Sequence, residues 1–239
     1  MNEFLTNQEI GEFTHLIDNY HKSEDAEELF IQSNFANIAG PTGAGKDTIR
    51  NLLVEDYPDK YAPVLSTTSR PSRQGEQDGV DYHFRSKDEI RESLQKGEFF
   101  EAAVVHNQQV SCLHISEITK LKLGQIGVSI LVVEKDLELR RAKPDIKTVF
   151  IIPPDLSELK RRMITSRNLS EDEVLRRLQA AKGELQIALG QPEYFCLVND
   201  ELEQASESVR GFFEDGQKDE QKDAQARSVI QKILEELIM

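Results

Sequence analysis

Apolar residues near the N-terminus recur at helical spacing. Four of them fall on one face of a predicted helix: Ile10, Phe13, Ile17 and Tyr20. Thr6 and Glu9 stand three residues apart, which is the spacing of a capping box at a helix start. A second short helix is predicted over the segment DAEELF. These patterns predict that residues 1–33 form a separate N-terminal helical extension.

The middle of the chain alternates short apolar runs with amphipathic segments. Continuous apolar runs without polar alternation are predicted to be buried parallel strands, and they occupy Phe35 to Ala39, Ile126 to Val133, Lys147 to Ile152 and Phe195 to Val198. Helical patterns follow them, whereas residues 64–114 show short strands and turns around one helix. Strands that alternate with helices predict an α/β fold with a parallel sheet flanked by helices.

The C-terminal segment has a different composition. Residues 216–227 read GQKDEQKDAQAR, and a stripe of apolar residues at helical spacing follows, from Val229 to Ile238. We therefore assign residues 215–239 to a charged segment and a C-terminal helix. Packing of this helix on its own domain is the favoured interpretation, and a contact that forms a homo-oligomer is the alternative.

Composition narrows the classes of partner. The 239 residues carry a formal net charge of -14, which argues against nonspecific binding to nucleic acid or to an anionic membrane. Two cysteines are too few for a disulfide framework, and no apolar run approaches the ~18 residues of a membrane span. The N-terminus shows no signal-peptide pattern, so the expected location is cytoplasmic.

The first strand leads into a glycine-rich loop that matches the pattern GxxxxGK and precedes a predicted helix. The residues of this loop are Gly40, Pro41, Thr42, Gly43, Ala44, Gly45 and Lys46. Glycines at these positions let backbone N–H groups point at a phosphate, and the helix N-terminus adds positive potential. Lys46 is predicted to bridge the β- and γ-phosphates of ATP and to offset charge during transfer. The loop therefore predicts a P-loop NTPase-type core.

The residue after the lysine departs from the common pattern. A Ser or Thr usually stands there and reaches Mg²⁺, whereas this chain has Asp47 followed by Thr48. A carboxylate is also a hard oxygen ligand for Mg²⁺. Asp47 and Thr48 are therefore the candidate magnesium ligands. Asp47 either binds the ion directly, acts through a water, or turns away and leaves the metal to the nucleotide.

A second phosphate site is predicted between residues 67 and 84. Arg70 and Arg73, a glycine-rich turn and Tyr82 supply two guanidinium forks and a hydroxyl, which suit a phosphorylated acceptor. The eighteen residues from Thr67 to Phe84 closely resemble the acceptor-binding signature of guanylate kinases. The resemblance continues through GEFFE at 97–101, the proline pair at 153–154 and the segment SRNLSEDE at 166–173.

The resemblance covers about residues 33–214 and implies a guanylate kinase-like domain at 34–214. It implies an acceptor-binding insert near 66–117, a helical lid near 162–183, ATP as donor and GMP as acceptor. The residues that match family positions for the acceptor are Ser66, Arg70, Arg73, Tyr82, Glu101 and Cys112. The matches for the arginines that close over the triphosphate are Arg162, Arg167 and Arg177. Because the resemblance ends near residue 214, removal of residues 217–239 is expected to leave catalysis close to intact.

Some positions differ from the family pattern. Val110 stands where a second phosphate-binding tyrosine is expected, and Cys112 replaces a guanine-contacting hydroxyl. Glu134 and Asp136 are the acids nearest to two expected aspartates that are absent. Two alternatives to GMP phosphorylation follow: a kinase for another nucleoside monophosphate or for ribose bisphosphate, and an interaction module that has lost catalysis.

Overall fold

The computed structural model describes residues 4–73, 75–105, 108–167 and 170–238, with the backbone alone for residues 166 and 167. The helices of this part are α1 (Asn7–Asp18), α2 (Glu24–Gln32), α3 (Lys46–Asp56), α4 (Lys87–Lys96), α5 (Ser116–Thr119), α6 (Val133–Ala142), α7 (Leu156–Arg167), α8 (Glu171–Leu189), α9 (Leu202–Asp215) and α10 (Glu220–Ile238). The strands are β1 (Phe35–Ala39), β2 (Tyr61–Pro63), β3 (Thr67–Thr68), β4 (His83–Phe84), β5 (Phe99–Val105), β6 (Gln109–His114), β7 (Ile126–Ser129), β8 (Lys147–Ile152) and β9 (Phe195–Val198).

The strands form a five-stranded sheet in the order β2-β7-β1-β8-β9 and a four-stranded sheet in the order β4-β3-β6-β5. β1 pairs with β8, and β8 with β9, in parallel. The predicted α/β fold with a parallel sheet flanked by helices is therefore confirmed. The described residues form two compact units, one within Met1–Asn34 and Val64–Ser129 and the other within Phe35–Pro63 and Ile130–Met239.

The first unit contains the four-stranded sheet together with the N-terminal helices. The capping box predicted from Thr6 and Glu9 is present at the start of α1. α1 packs on the sheet beside α4 and shares an apolar cluster with it. The buried members of this cluster are Leu5, Phe13, Ile90, Leu94, Phe99, Ala102, Val110 and Cys112. The N-terminal extension is thus part of the core of this unit.

The second unit is built around the parallel strands β1, β8 and β9. α10 packs on β9 and α8 and contributes Ala226, Ile230, Ile233 and Leu234 to the main apolar cluster. Asp223 at the start of α10 also accepts a hydrogen bond of 2.7 Å from the backbone N–H of Cys196 in β9. The favoured interpretation of α10, a helix packed on its own domain, agrees with this burial. The same burial argues against the expectation that catalysis stays close to intact when residues 217–239 are removed, because their removal would expose the cluster.

No helix in the described part of the chain combines the length and the apolar character needed to cross a membrane.

Candidate functional site

The glycine loop lies between the end of β1 and the start of α3, as its sequence pattern predicts. Gly40 has φ of 137°, and a Cβ atom at that position would lie 2.2 Å from the carbonyl oxygen of Ile151. Gly45 caps α3 in the left-handed conformation with φ of 95°. Only glycine tolerates such a combination of positive φ and close backbone approach. The loop therefore requires its glycines for its shape, and the N–H groups at the start of α3 provide positive potential there.

Asn199, directly after β9, fastens the loop. Its Nδ2 donates a hydrogen bond of 2.8 Å to the carbonyl oxygen of Ala44. A Cβ atom added to Gly45 would lie 2.3 Å from the same Nδ2 atom. Asn199 is not among the site residues predicted from the sequence. Its place in the sequence could have indicated it, because a polar residue that directly follows a parallel strand lies at the sheet edge where such folds bind ligands.

Lys46 is the first residue of α3, and its ammonium lies over the loop. Nζ donates hydrogen bonds of 2.5 Å to the carbonyl oxygen of Gly40 and 2.9 Å to that of Pro41. These bonds hold a positive charge beside the loop N–H groups. The geometry is that of a cradle for a phosphate chain.

The candidate magnesium ligands occupy the first turn of α3. Asp47 is half-buried and Thr48 is exposed. Within the described residues, no group of three or more His, Cys, Asp and Glu side chains is arranged to hold a metal ion. Asp47 and Thr48 themselves carry a carboxylate and a hydroxyl, which are oxygen donors of the kind that Mg²⁺ prefers.

Two of the three predicted lid arginines lie on helices of the same unit. A Cβ atom built on Gly43 would lie 3.5 Å from Cβ of Arg162, so α7 runs directly beside the loop. Arg162 donates from Nε to Glu158 at 2.6 Å, and Arg177 on α8 donates to Glu173 at 2.9 Å. The side chain of Arg167 lies outside the described part of the structure. Intrahelical carboxylates thus orient both described guanidinium groups.

Glu184 on α8 is a half-buried residue that sequence reasoning missed. Its Oε2 atom is buried and has no hydrogen-bond partner among the described residues. Burial raises the pKa of Glu184 to about 7; Lys46 and Arg177 oppose this rise, and Glu134 reinforces it. Electrostatics therefore couple this carboxyl to the phosphate loop. An isolated Glu on a charged helix gives no sequence signal for such a position.

Asp136 has a structural role. It is fully buried and accepts hydrogen bonds from Asn37 at 2.9 Å, Thr148 at 2.6 Å, Arg140 at 2.9 Å and Tyr194 at 2.6 Å. These bonds join α6 to β1 and β8 and occupy both carboxylate oxygens. Asp136 is therefore a poor substitute for the family's absent aspartates.

In the first unit, the strand register places two predicted acceptor residues, Glu101 and Cys112, on opposite faces of the four-stranded sheet. Glu101 pairs with Leu113, and Ser111 pairs with Thr68 on one side and Ala103 on the other. Directly paired residues, and residues two apart, point to the same face of a sheet. Glu101, Ser111 and Thr68 therefore share one face.

Cys112 lies on the opposite face. It pairs with Ala102 and Thr67, has no exposed surface, and belongs to the apolar cluster beneath α1 and α4. This position does not fit the predicted contact with a base. Ser111, which sequence reasoning missed, places a hydroxyl on the face of Glu101. Ser111 and Cys112 are neighbours in the sequence, and the hairpin register assigns only Ser111 to the face of Glu101.

Arg70 and Tyr82 stack next to that face. The guanidinium carbon of Arg70 lies 4.9 Å from the ring centre of Tyr82 and 5.3 Å from that of Phe84. Both terminal nitrogens of Arg70 donate to the Glu76 carboxylate, at 2.6 and 2.8 Å. Burial opposes ionisation of Glu76, but hydrogen bonds from Arg70 and Arg73 lower the pKa of its carboxyl below the usual value. The guanidinium plane of Arg70 is thus fixed by an ion pair and two aromatic rings.

The remaining predicted acceptor residues belong to the same unit. The backbone N–H of Arg73 donates to Glu76 at 2.8 Å, and its side chain is exposed. Ser66 is buried before β3, and its carbonyl accepts a 3.0 Å hydrogen bond from His83. The Glu101 side chain is 3% exposed. The first unit thus carries two arginines, a tyrosine and a buried carboxylate, groups that suit a ligand with a phosphate and a hydrogen-bonding base.

The family model described as guanylate kinase matches residues 33–216. A guanylate kinase of Sulfurimonas denitrificans is 38% identical over 176 residues, which make up 72% of this chain and 83% of that protein. A guanylate kinase of Listeria innocua is 34% identical over 178 residues, or 74% of this chain and 85% of that protein. The crystal structure of guanylate kinase from Anaplasma phagocytophilum shares the fold, with a TM-score of 0.60, 21% identity and coverage of 77% of this chain and 87% of that one.

Proposed function

We propose that this chain, which belongs to the guanylate kinase family, transfers the γ-phosphoryl group of ATP to GMP and yields ADP and GDP. In this reaction the bond between the γ-phosphorus and the β-γ bridging oxygen breaks. A phosphate oxygen of GMP forms the new bond to phosphorus, and the bridging oxygen leaves with ADP. Such a reaction needs no covalent nucleophile from the protein; it needs alignment, charge neutralisation and exclusion of water.

The second unit would bind the donor. The N–H groups of the glycine loop would bind the phosphate chain, and Lys46, which lies over the loop, would stabilise charge on the β-γ bridging oxygen. Arg162 stands beside the loop at Gly43, and Arg177 acts electrostatically on the same region. We assign these three cations to stabilisation of the transferring phosphoryl group. Arg167 keeps the role that the family resemblance implies.

Magnesium fits the start of α3. Asp47 and Thr48 supply a carboxylate and a hydroxyl there, which are hard oxygen donors, and Asp47 is only half-buried. We propose that these two residues hold Mg²⁺ together with the nucleotide. When bound, the ion neutralises charge on the β- and γ-phosphates.

The first unit would bind the acceptor. Arg70, Arg73 and Tyr82 are assigned to the GMP phosphate. Glu101, with Ser66 and Ser111, is assigned to the guanine edge, where a carboxylate accepts from both N1–H and the 2-amino group. The observation that carries this assignment is the segregation of residues in the sheet. Glu101 and Ser111 share a face, whereas Cys112 is buried under α1.

A panel of acceptors tests the proposal. ADP release is coupled to NADH oxidation with GMP, IMP, AMP and ribose bisphosphate as acceptors, at saturating ATP and Mg²⁺. We expect GMP to be preferred, because only guanine offers both donors to Glu101. Preference for ribose bisphosphate or AMP would reassign the acceptor, and absence of turnover with every acceptor would favour an interaction module.

A substitution at the base site sharpens this test. Glu101→Gln replaces an acceptor with a donor and is expected to lower kcat/KM for GMP about ten- to hundredfold. Glu98→Gln is the matched control, because Glu98 lies in the same segment but is partly exposed and faces His114. Equal effects of the two substitutions, or an unchanged order of acceptors in Glu101→Gln, would contradict the guanine assignment.

A further inference from the structure

The segment before residue 33 lies outside the family match, yet it is attached to the strand that carries Glu101. The backbone N–H of Leu5 donates to Gln108 at 2.8 Å, and that of Ser23 donates to Gly97 at 3.1 Å. Gly97 ends α4 with φ of 71°, and a Cβ atom there would lie 2.9 Å from the Ser23 nitrogen. The extension therefore approaches the segment preceding β5 more closely than a side chain at residue 97 would allow.

Tyr20, just after α1, binds the outer edge of β5. Its hydroxyl donates to the carbonyl oxygen of Phe99 and accepts from the N–H of Phe99 at 2.8 Å. β5 is an edge strand of the described sheet, so both groups would otherwise lack a partner strand. Burial raises the pKa of Tyr20 to about 12, so the hydroxyl keeps its proton and can serve both groups at neutral pH.

This contact lies where the pairing of β5 changes register. Phe99 pairs with His114 and Glu101 with Leu113, so an irregularity separates Phe99 from Glu101. The intervening Phe100 is buried, and its ring stacks on Phe30 of α2 with centroids 4.8 Å apart and planes at 14°. The extension therefore contacts both residues that precede Glu101. Tyr20 binds the backbone of Phe99, and Phe30 stacks on the ring of Phe100.

We propose that the N-terminal extension is a specificity element of the acceptor site, in which Tyr20 and Phe30 are positioning residues that aim Glu101 at the acceptor base. A β-bulge redirects the side chains that follow it. Because the bulge is held by the extension, the direction of the Glu101 carboxylate depends on Tyr20 and Phe30. This inference rests on the assignment of GMP as acceptor.

The test compares GMP with IMP, which lacks only the 2-amino group that Glu101 is assigned to bind. Tyr20→Phe keeps the ring and removes the hydroxyl. We expect the KM for GMP to rise about tenfold and the ratio of kcat/KM for GMP over IMP to fall at least about fivefold. The KM for ATP should stay within about twofold of the original value, because the change lies in the acceptor site.

Glu12→Gln is the matched control. Glu12 also joins α1 to the rest of the unit, by hydrogen bonds of 2.6 and 3.0 Å that Arg91 on α4, rather than β5, donates. We expect this variant to retain both the KM for GMP and the ratio of GMP over IMP. A loss of the ratio in Glu12→Gln equal to that in Tyr20→Phe would contradict the proposal, since any loosening of α1 would then suffice.

Phe30→Leu is a second, independent variant, and it decides the question if Tyr20→Phe does not fold. It is expected to lower the ratio of GMP over IMP in the same direction. The proposal is overturned if the folded variants lose activity equally with GMP and IMP, or if they keep the original ratio. The ratio of the unmodified protein is measured first. An unmodified protein without preference for GMP would refute the proposed acceptor, which is an outcome distinct from failure of the positioning role.

Discussion

The free energy of unfolding is expected to change with pH through ionisation of the Glu184 carboxyl, whose Oε2 atom is buried. The sign and size of this change follow from the structure. Burial raises its pKa from 4.5 to about 7. In the unfolded chain the group ionises near 4.5, so between pH 4.5 and 7 the folded state holds a proton that the unfolded state has released. Stability therefore falls as pH rises through this window and is constant above it. A difference of about 2.5 pKa units corresponds to about 3 kcal/mol.

Glu184→Gln removes this titration. We expect the free energy of unfolding of the variant, relative to that of the original protein, to increase by about 3 kcal/mol between pH 4.5 and pH 8. The measurement is urea unfolding without nucleotides at several pH values, with the slope against urea checked for constancy. A difference that does not change with pH would refute the reasoning.

Glu207→Gln supplies a control of opposite sign. The hydrogen bond from Arg210 lowers the pKa of the exposed Glu207 carboxyl. Its stabilising contribution is present above the unfolded pKa and is lost as pH falls. The variant should therefore lose stability relative to the original protein as pH rises, the reverse of Glu184→Gln.

Three further outcomes are expected. Gly45→Ala should lower kcat/KM for ATP at least about tenfold, since its Cβ would displace Asn199. Steady-state kinetics with varied ATP check this, and unchanged kinetics would contradict the role of Asn199 in holding the loop. Arg70→Ala should raise the KM for GMP about tenfold or more and leave the KM for ATP nearly unchanged. A rise in the KM for ATP alone would show that the assignment of Arg70 to GMP is wrong. Deletion of residues 217–239 should lower the melting temperature measured by calorimetry, because α10 covers the main apolar cluster, and an unchanged value would refute that packing role.

The fold was largely predictable because its signals are local. Continuous apolar runs identified β1, β8 and β9, and the pattern GxxxxGK located the turn from β1 into α3. Such features depend on neighbouring residues and on the period of the chain, which a sequence displays directly.

The parts of the site that the sequence did not reveal depend on long-range pairing. Whether Ser111 or Cys112 shares the face of Glu101 is decided by hairpin register, and a shift of one residue exchanges the two faces. Asn199 reaches Ala44 across 155 positions of sequence. The packing of Tyr20 against Phe99 likewise spans 79 positions, so helical periodicity alone described α1 as a separate extension. Contacts of this kind leave no periodic signal.

Phosphoryl transfer from ATP to GMP at the glycine loop, with Lys46 as the catalytic cation, is tested most directly by ³¹P NMR. ATP and GMP are incubated with the original protein and with Lys46→Ala, and GMP binding to each is measured by calorimetric titration. We expect ADP and GDP to appear with the original protein, and the rate to fall at least about a hundredfold in Lys46→Ala while GMP binding is retained. Formation of GDP by Lys46→Ala at a rate close to that of the original protein, or no GDP from the original protein, would contradict the claim.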